Sequence, residues 1–306
     1  MFVPDAGQLT GPDTNWYATI TPSAPLSSLE SDLSLPLQTD NTYVGNYADT
    51  INTSSGFQVI LQPNSCTDSN NDLITGNIYL ETYLLKTKGD LISMSLPTTS
   101  NGSLLVCGGV FYLAMKNNET NLKLAPGKMA YIRYSDSIAS SMMKLFNGDG
   151  TNIWQYNWLP NYDTSNANNK VQVDNSEYDI TTNQLNWISC SFPYSVPLNA
   201  QTVVTVSLSA NNHLTNANTV AYVVFDNMFS VVNMPGDFNT KRFISSEIPT
   251  GKNITIVTIS KDGNYYYLGS QSLLTTVPTA NFATQDISIN PSKVSLSDIK
   301  NYLDSL

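Results

Sequence analysis

Along most of the chain, short apolar runs are separated by clusters of Gly, Asn, Asp, Ser and Pro, and within the runs apolar and polar positions often alternate. Successive side chains of an extended strand point to opposite faces, so this pattern predicts half-buried strands joined by tight turns. Residues 97–128, PTTSNGSLLVCGGVFYLAMKNNETNLKLAPGK, show the pattern in full. A polar Thr-Thr-Ser-Asn-Gly turn leads into an apolar run, Gly108-Gly109 interrupts it, and Val110, Tyr112 and Ala114 then alternate with Phe111, Leu113 and Met115. The paired glycines are expected to permit a bulge or a close approach of strands.

The same reading divides the chain. Residues 1–40, rich in Pro, Ser and Thr, read as an extended lead-in that contributes an edge strand at most. A first β-sandwich is expected over 41–135, from GFQVILQPNSC, DLITGNIYLETYLLKTKGDLISM, GGVFYLAMKN and KMAYIRYS. Residues 136–179 change character: a short helical turn near 140–146, a Gly-Asp-Gly turn, two tryptophans and an Asn-rich stretch read as a connector. A second sandwich is expected over 180–306, from QLNWISCSFPYSV, TVVTVSLSA, NTVAYVVFDN, MFSVVNM, QDISINP and a hairpin turning at Asp262-Gly263. SLSDIKNYLDSL at the end is the one good helix, with Ser295 as N-cap and Asp298 at the third helical position of a capping box. It is expected to cover an edge or open end of the second sandwich. The fold class is therefore all-β, two tandem β-sandwich domains with a short C-terminal helix, and 306 residues suit two domains of roughly 100–150 residues each.

Composition reinforces this. Charged residues are 12% of the chain, while Ser, Thr and Asn make up about a third of it, against a charged share of about 25% in an average soluble protein. Such side chains compete for backbone hydrogen bonds and favour turns and exposed strand faces over helix interiors. The composition also points to an extracytoplasmic setting. A formal charge of −10 without any basic run argues against nucleic acid and anionic headgroups as partners. No apolar window is long enough for a spanning helix. The start, MFVPDAGQLTGPDTN, lacks the basic and apolar regions of a signal peptide, so the chain reads as cytosolic or as a form whose export signal has been removed.

In order and spacing, the segments from VILQPNSCTDSNND through TGNIYLE, the Thr-Thr-Ser-Asn-Gly turn and LKLAPGK resemble a first domain of uncharacterised Bacteroidetes surface lipoproteins. That domain is distantly like the ZU-type, immunoglobulin-like sandwich of ankyrins and netrin receptors. KLFNGDG, NWLPN, LNWISCSFPY and the ending IPTGKNITIVTISKDGNYYYLGSQSL to ISINPSKVSLSDIKNYLDSL resemble the second half of the same proteins, so the resemblance covers residues 45–306. It implies a surface or periplasmic protein whose membrane association runs only through an N-terminal lipid anchor, and it implies no activity. One departure stands out: Ser189-Cys190-Ser191 follow LNWI where the family pattern has an Asn-Cys-Asp-type segment. Some animal relatives of the first domain cut themselves before the serine of a His-Phe-Ser motif, but here His213 precedes Leu214 and Phe229-Ser230 lacks the histidine.

Candidate chemistry is sparse. His213, the single histidine, sits in a polar stretch and reads as a loop residue, and no Gly-x-Ser-x-Gly elbow presents a serine to it. Glu30, Glu81, Glu119, Glu177 and Glu247 read as solvated carboxylates. DSNND at 68–72 and NGDGTN at 147–152 are oxygen-rich but lack the distal acid of a calcium loop, so both read as turns. No cofactor motif is present. Cys66, Cys107 and Cys190 have no metal-ligand spacing; they read as buried free thiols, with a Cys66–Cys107 disulfide as the alternative. The best aromatic platform is NIWQYNW, where Trp154, Tyr156 and Trp158 share a face if extended and Asn152 and Asn157 lie beside them. Two functions follow: a non-catalytic exported module binding a surface protein, or a glycan-binding protein using these aromatics. The alternative role for the rings is core packing.

Overall fold

The computed structural model describes residues 16–20, 24–148, 156–161, 169–208, 213–277 and 284–306. The fold is all-β, built of several open antiparallel sheets with a short C-terminal helix. The chain forms two compact units, one of Leu35–Thr87 and Thr98–Tyr194, the other of the described residues before Leu35 together with Lys88–Pro97 and Ser195–Leu306.

The first unit contains β1 (Gln38–Val44), β2 (Asp49–Asn52), β3 (Gln58–Leu61), β4 (Cys66–Thr67), β5 (Gly76–Leu85), β6 (Thr99–Ser100), β7 (Ser103–Asn117), β8 (Thr120–Leu124), β9 (Ala130–Ser135), β10 (Lys144–Gly148), β11 (Trp158–Pro160), β12 (Lys170–Asp174), β13 (Glu177–Thr182) and β14 (Asn186–Pro193). The larger sheet runs β1-β5-β7-β14-β10-β11, with β6, β8 and β4 attached at the β7 side; the smaller runs β12-β13-β9-β3-β2. Alternate residues of the two sheets interdigitate in one core: Ile78, Leu80, Phe111, Leu113, Leu145 and Ile188 from the larger, Val59, Leu61, Ile132, Tyr178 and Ile180 from the smaller. Gly108 is the extra residue of a bulge, because Cys190 pairs with Gly109 and Ser191 with Cys107. A Cβ on Gly108 would sit 2.7 Å from the Tyr178 hydroxyl. Both expectations for the Gly-Gly pair are therefore met, a bulge and a close approach.

The second unit contains β15 (Gln201–Ser207), β16 (Thr219–Phe225), β17 (Val231–Asn233), β18 (Gly236–Asp237), β19 (Arg242–Ile244), β20 (Ile248–Pro249), β21 (Asn253–Asp262), β22 (Tyr265–Leu274), β23 (Thr284–Ser288) and β24 (Ser292–Val294), with helices α1 (Pro25–Leu33), α2 (Lys88–Ser93) and α3 (Leu296–Asp304). One sheet runs β18-β19-β15-β20 with β23 parallel to β15; the other runs β17-β16-β21-β22-β24. The β21–β22 hairpin closes through Gly263-Asn264, since Asp262 pairs with Tyr265, and Gly263 takes the positive φ of +56° that the first turn position requires. The α3 capping box forms as the sequence predicts: Ser295 Oγ accepts from the Asp298 amide and the Asp298 carboxylate accepts from the Ser295 amide.

The structure departs from the sequence reading in four places. The lead-in contains α1, whose Leu26, Leu29 and Leu33 are buried at helical spacing behind a proline in the first turn. The stretch after β5, which the sequence assigns to the first sandwich, contains α2, with Leu91 and Ile92 buried, and belongs to the second unit. The connector over 136–179 contains β10 to most of β13, all in the first unit, and a turn rather than helix covers 137–142. Its β12–β13 hairpin was hidden because the two-residue turn is Asn175-Ser176, at φ +49° and +66°, with no glycine to announce it. Finally, β14 belongs to the first unit, paired with β7 and β10, so the second unit's strands begin at β15.

A candidate ligand-binding groove on the first unit

The outward face of the larger sheet is crossed by a row of aromatic rings. Tyr83 of β5 pairs with Tyr112 of β7, and Tyr112 with Trp187 of β14, so the strand register places the three side chains abreast on one face. Their ring centroids lie 5.8 Å apart for Tyr83 and Tyr112, 5.1 Å for Tyr112 and Trp187, and 5.7 Å for Tyr83 and Trp187. All three are half-buried. The row continues into the interior: a Cβ on Gly148 would overlap the Tyr156 hydroxyl and meet the Trp187 Cβ, and Tyr156 packs edge-on to Trp158 at 5.2 Å. Glycine at 148 is what lets the Tyr156 ring lie there.

Beside Tyr112 the sheet forks. β7 pairs with β14 as far as Leu113 and Asn186, then with β8 from Met115 and Leu122 onward, leaving Ala114 at the branch. The fork opens a groove of about 450 Å³, with Tyr112 on its wall and the amides of Asn121, Asn183, Gln184 and Asn186 among its lining. Its lining includes no carboxylate, histidine or thiol. Among the described residues, none of these four side-chain amides makes a hydrogen bond within the protein. All four residues are exposed.

The rim is held from behind by a ladder of buried and half-buried asparagines. Asn161 Nδ2 donates to Asn147 Oδ1, Asn169 Nδ2 donates to Asn161 Oδ1 at 2.9 Å, and the Asn183 backbone N–H donates to Asn169 Oδ1 at 2.9 Å. Asn186 starts β14 at φ +71°, a left-handed conformation that asparagine tolerates better than most residues. The one charged lining residue, Lys123, has its ammonium on the Ser69 carbonyl at 3.1 Å and Asn71 Oδ1 at 3.1 Å. Burial, together with Glu81, holds the Tyr112 phenol above its ordinary pKa, so it remains a neutral donor. The Glu81 carboxylate is itself paired with Lys116 at 2.7 Å.

The residues singled out from the sequence fall in different places. Trp154 and Asn152 lie outside the described residues. Tyr156 and Trp158 are 8% and 0% exposed, so these two rings are core and not an open platform. Asn157 is bonded to Asn101, its Oδ1 accepting from the Asn101 amide at 2.8 Å. Cys66 and Cys107 are separate buried free thiols, not a disulfide: Cys66 packs on Met115 and Cys107 accepts from Ser191 Oγ at 2.9 Å. In the 68–72 segment the Asp68 carboxylate turns inward to the amides of Asn70 and Asp72, closing a turn. His213 lies edge-on to Tyr267 and 3.9 Å from Asp262. Among the described residues no cluster of three or more His, Cys, Asp or Glu could hold a metal ion.

The groove residues escaped the sequence reading because they come from three separate segments. Each aromatic looks like an ordinary strand residue until β5, β7 and β14 are placed side by side. The one local signal was TTNQLNW, a run of amides abutting a tryptophan. A scan against known protein families finds no match, and a search of curated proteins finds none either.

Proposed function

We propose that the protein is a non-catalytic, extracytoplasmic interaction module that receives its ligand at the forked groove of the first unit. The observation that carries this reading is the coincidence, at one concave place, of an aromatic wall with four amides uncommitted within the fold. Binding sites of this size combine apolar surface with a few placed polar groups. With no carboxylate, histidine or thiol in the lining, and with the Lys123 ammonium held by Ser69 and Asn71, the groove is suited to holding a ligand rather than transforming it. The low charge and hydroxyl-rich composition favour the exported setting that the lipoprotein resemblance implies.

The test is a paired screen of the purified protein and its Tyr112→Ala variant against a peptide-display library and an immobilised glycan panel. Saturable binding to either, lost in a variant that keeps the wild-type circular dichroism and melting temperature, is the expected result. No binding in either panel would overturn the reading, and shortened or otherwise altered ligand recovered after incubation would overturn its non-catalytic part.

A further inference from the structure

We infer that the ligand of this groove is a neutral saccharide chain, with a sugar face on Tyr112 and its hydroxyls on Asn121, Asn183, Gln184 and Asn186. The inference rests on the groove being the binding site and adds the ligand's chemical class. Three features of the groove select that class.

The first is the polar inventory. A primary amide offers two donors and an acceptor in fixed planar geometry, which matches the paired donor and acceptor character of vicinal hydroxyls. Four residues that carry such groups, from β8, the β13–β14 loop and the start of β14, line the groove. The asparagine ladder behind Asn183 ties that loop's backbone to β10, so part of the rim is ordered before a ligand arrives. The second is the wall. Tyr112 is half-exposed and is buttressed by Trp187 and Tyr83. Rigid rings of this kind give the apolar face of a pyranose a surface to stack on at little entropic cost. The third is charge. Lys123, the one charged lining residue, spends its ammonium on Ser69 and Asn71, leaving no countercharge dedicated to an acidic ligand.

A peptide is the competing occupant, and the sheet argues against it. An added strand needs a continuous unpaired edge, whereas the groove-lining residues of β8 and β14 are already engaged on one side, Asn121 and Leu122 with β7, Lys123 and Leu124 with β4, and Asn186 with β7. The volume of about 450 Å³ suits a short stretch of sugar rings rather than the deep pockets that anchor apolar side chains.

The experiment is calorimetric titration of the full chain with hexasaccharides of β-1,4-glucose, β-1,3-glucose, β-1,4-xylose, α-1,6-mannose and β-1,4-N-acetylglucosamine, at millimolar concentration. Polygalacturonate serves as the acidic comparison and a linear hexapeptide mixture as the peptide comparison. At least one neutral saccharide is expected to bind. Tyr112→Phe should keep the affinity and Tyr112→Ala should lower it at least about tenfold. Asn183→Ala, Gln184→Ala and Asn186→Gly should each weaken it roughly three- to tenfold, one lost hydrogen bond apiece; glycine at 186 keeps the left-handed backbone. Saccharide binding indifferent to all these changes would overturn the site. Preference for polygalacturonate would overturn the neutral class. Peptide binding lost with Tyr112→Ala, without saccharide binding, would overturn the inference while leaving the groove as a binding site. No ligand binding at all would remove both.

Discussion

At the scale of single residues, the polar and sulfur groups inside the first unit are structural. Cys107 is 4% exposed, and burial pushes its thiol up to about 11 despite the Ser191 and Ser189 hydroxyls that contact it. Cys190 is fully buried and raised further from the usual thiol range, first by burial and then by Cys107, while Cys66 is raised by burial. Reactivity follows the thiolate, so thiols held protonated in an apolar interior are inert. Native protein at pH 8 should therefore show no reaction with a chromogenic disulfide reagent over minutes, and three equivalents should react in denaturant. Fast labelling of even one thiol in the native state would contradict this. Ser189 and Ser191 beside Cys190 are fully buried as well, so a carboxylate in this stretch would strand a charge without solvent, and the neutral Ser-Cys-Ser suits the core.

At the scale of elements, the helices of the second unit depend on one close backbone approach. A Cβ on Gly89 of α2 would overlap the carbonyl of Leu303 in α3, and backbone cannot move aside as a flexible side-chain end can. Gly89→Ala should cost about 1–3 kcal/mol in urea unfolding, although alanine is the better helix former, whereas Ser297→Ala on the exposed face of α3 should be neutral or slightly stabilising. An unchanged midpoint for Gly89→Ala would show that the two helices do not pack this closely in solution. The same elements show what was legible in the sequence. α3 was readable because Ser295 and Asp298 mark its start and its leucines keep helical spacing. α1 has comparable spacing in Leu26, Leu29 and Leu33, but its N-cap, Ala24, makes no side-chain cap and its serines read as loop. Strands such as β7, β16 and β21 were legible from alternation or apolar runs alone. Their partners were not, since pairing is set by long-range burial. The same limit separated β14 from β7 in the sequence reading and left Tyr83, Tyr112 and Trp187 unconnected.

At the scale of the whole molecule, the units share an electrostatic signature: acidic groups near the surface and protonated weak acids inside. Tyr178 of the first unit and Tyr222 of the second are each pushed up to about 12, chiefly by burial, and Cys107 to about 11. In every case the folded state holds the proton more tightly than the unfolded chain, whose ordinary values are about 8.5 for cysteine and 10 for tyrosine. The unfolded state then binds fewer protons above those values, so stability declines as pH rises. The contribution is fully present below about pH 8.5 and is lost progressively as the solution passes the folded values, with a shift of two units worth about 2.7 kcal/mol. Lys116 and Lys261, raised by Glu81 and Asp32, add to the decline in the same direction. Urea midpoints should accordingly be insensitive to these groups from pH 7 to 8.5 and fall steeply between pH 9 and 12. Tyr222→Phe tests the cause, because it removes one buried phenol while keeping the ring. It should flatten the fall between pH 10 and 12 without altering its onset near pH 9, whereas Cys107→Ala, with its own constant cavity cost, should soften the onset. Parallel curves for wild type and both variants would mean that the decline comes from surface charge alone, which added salt would then relieve.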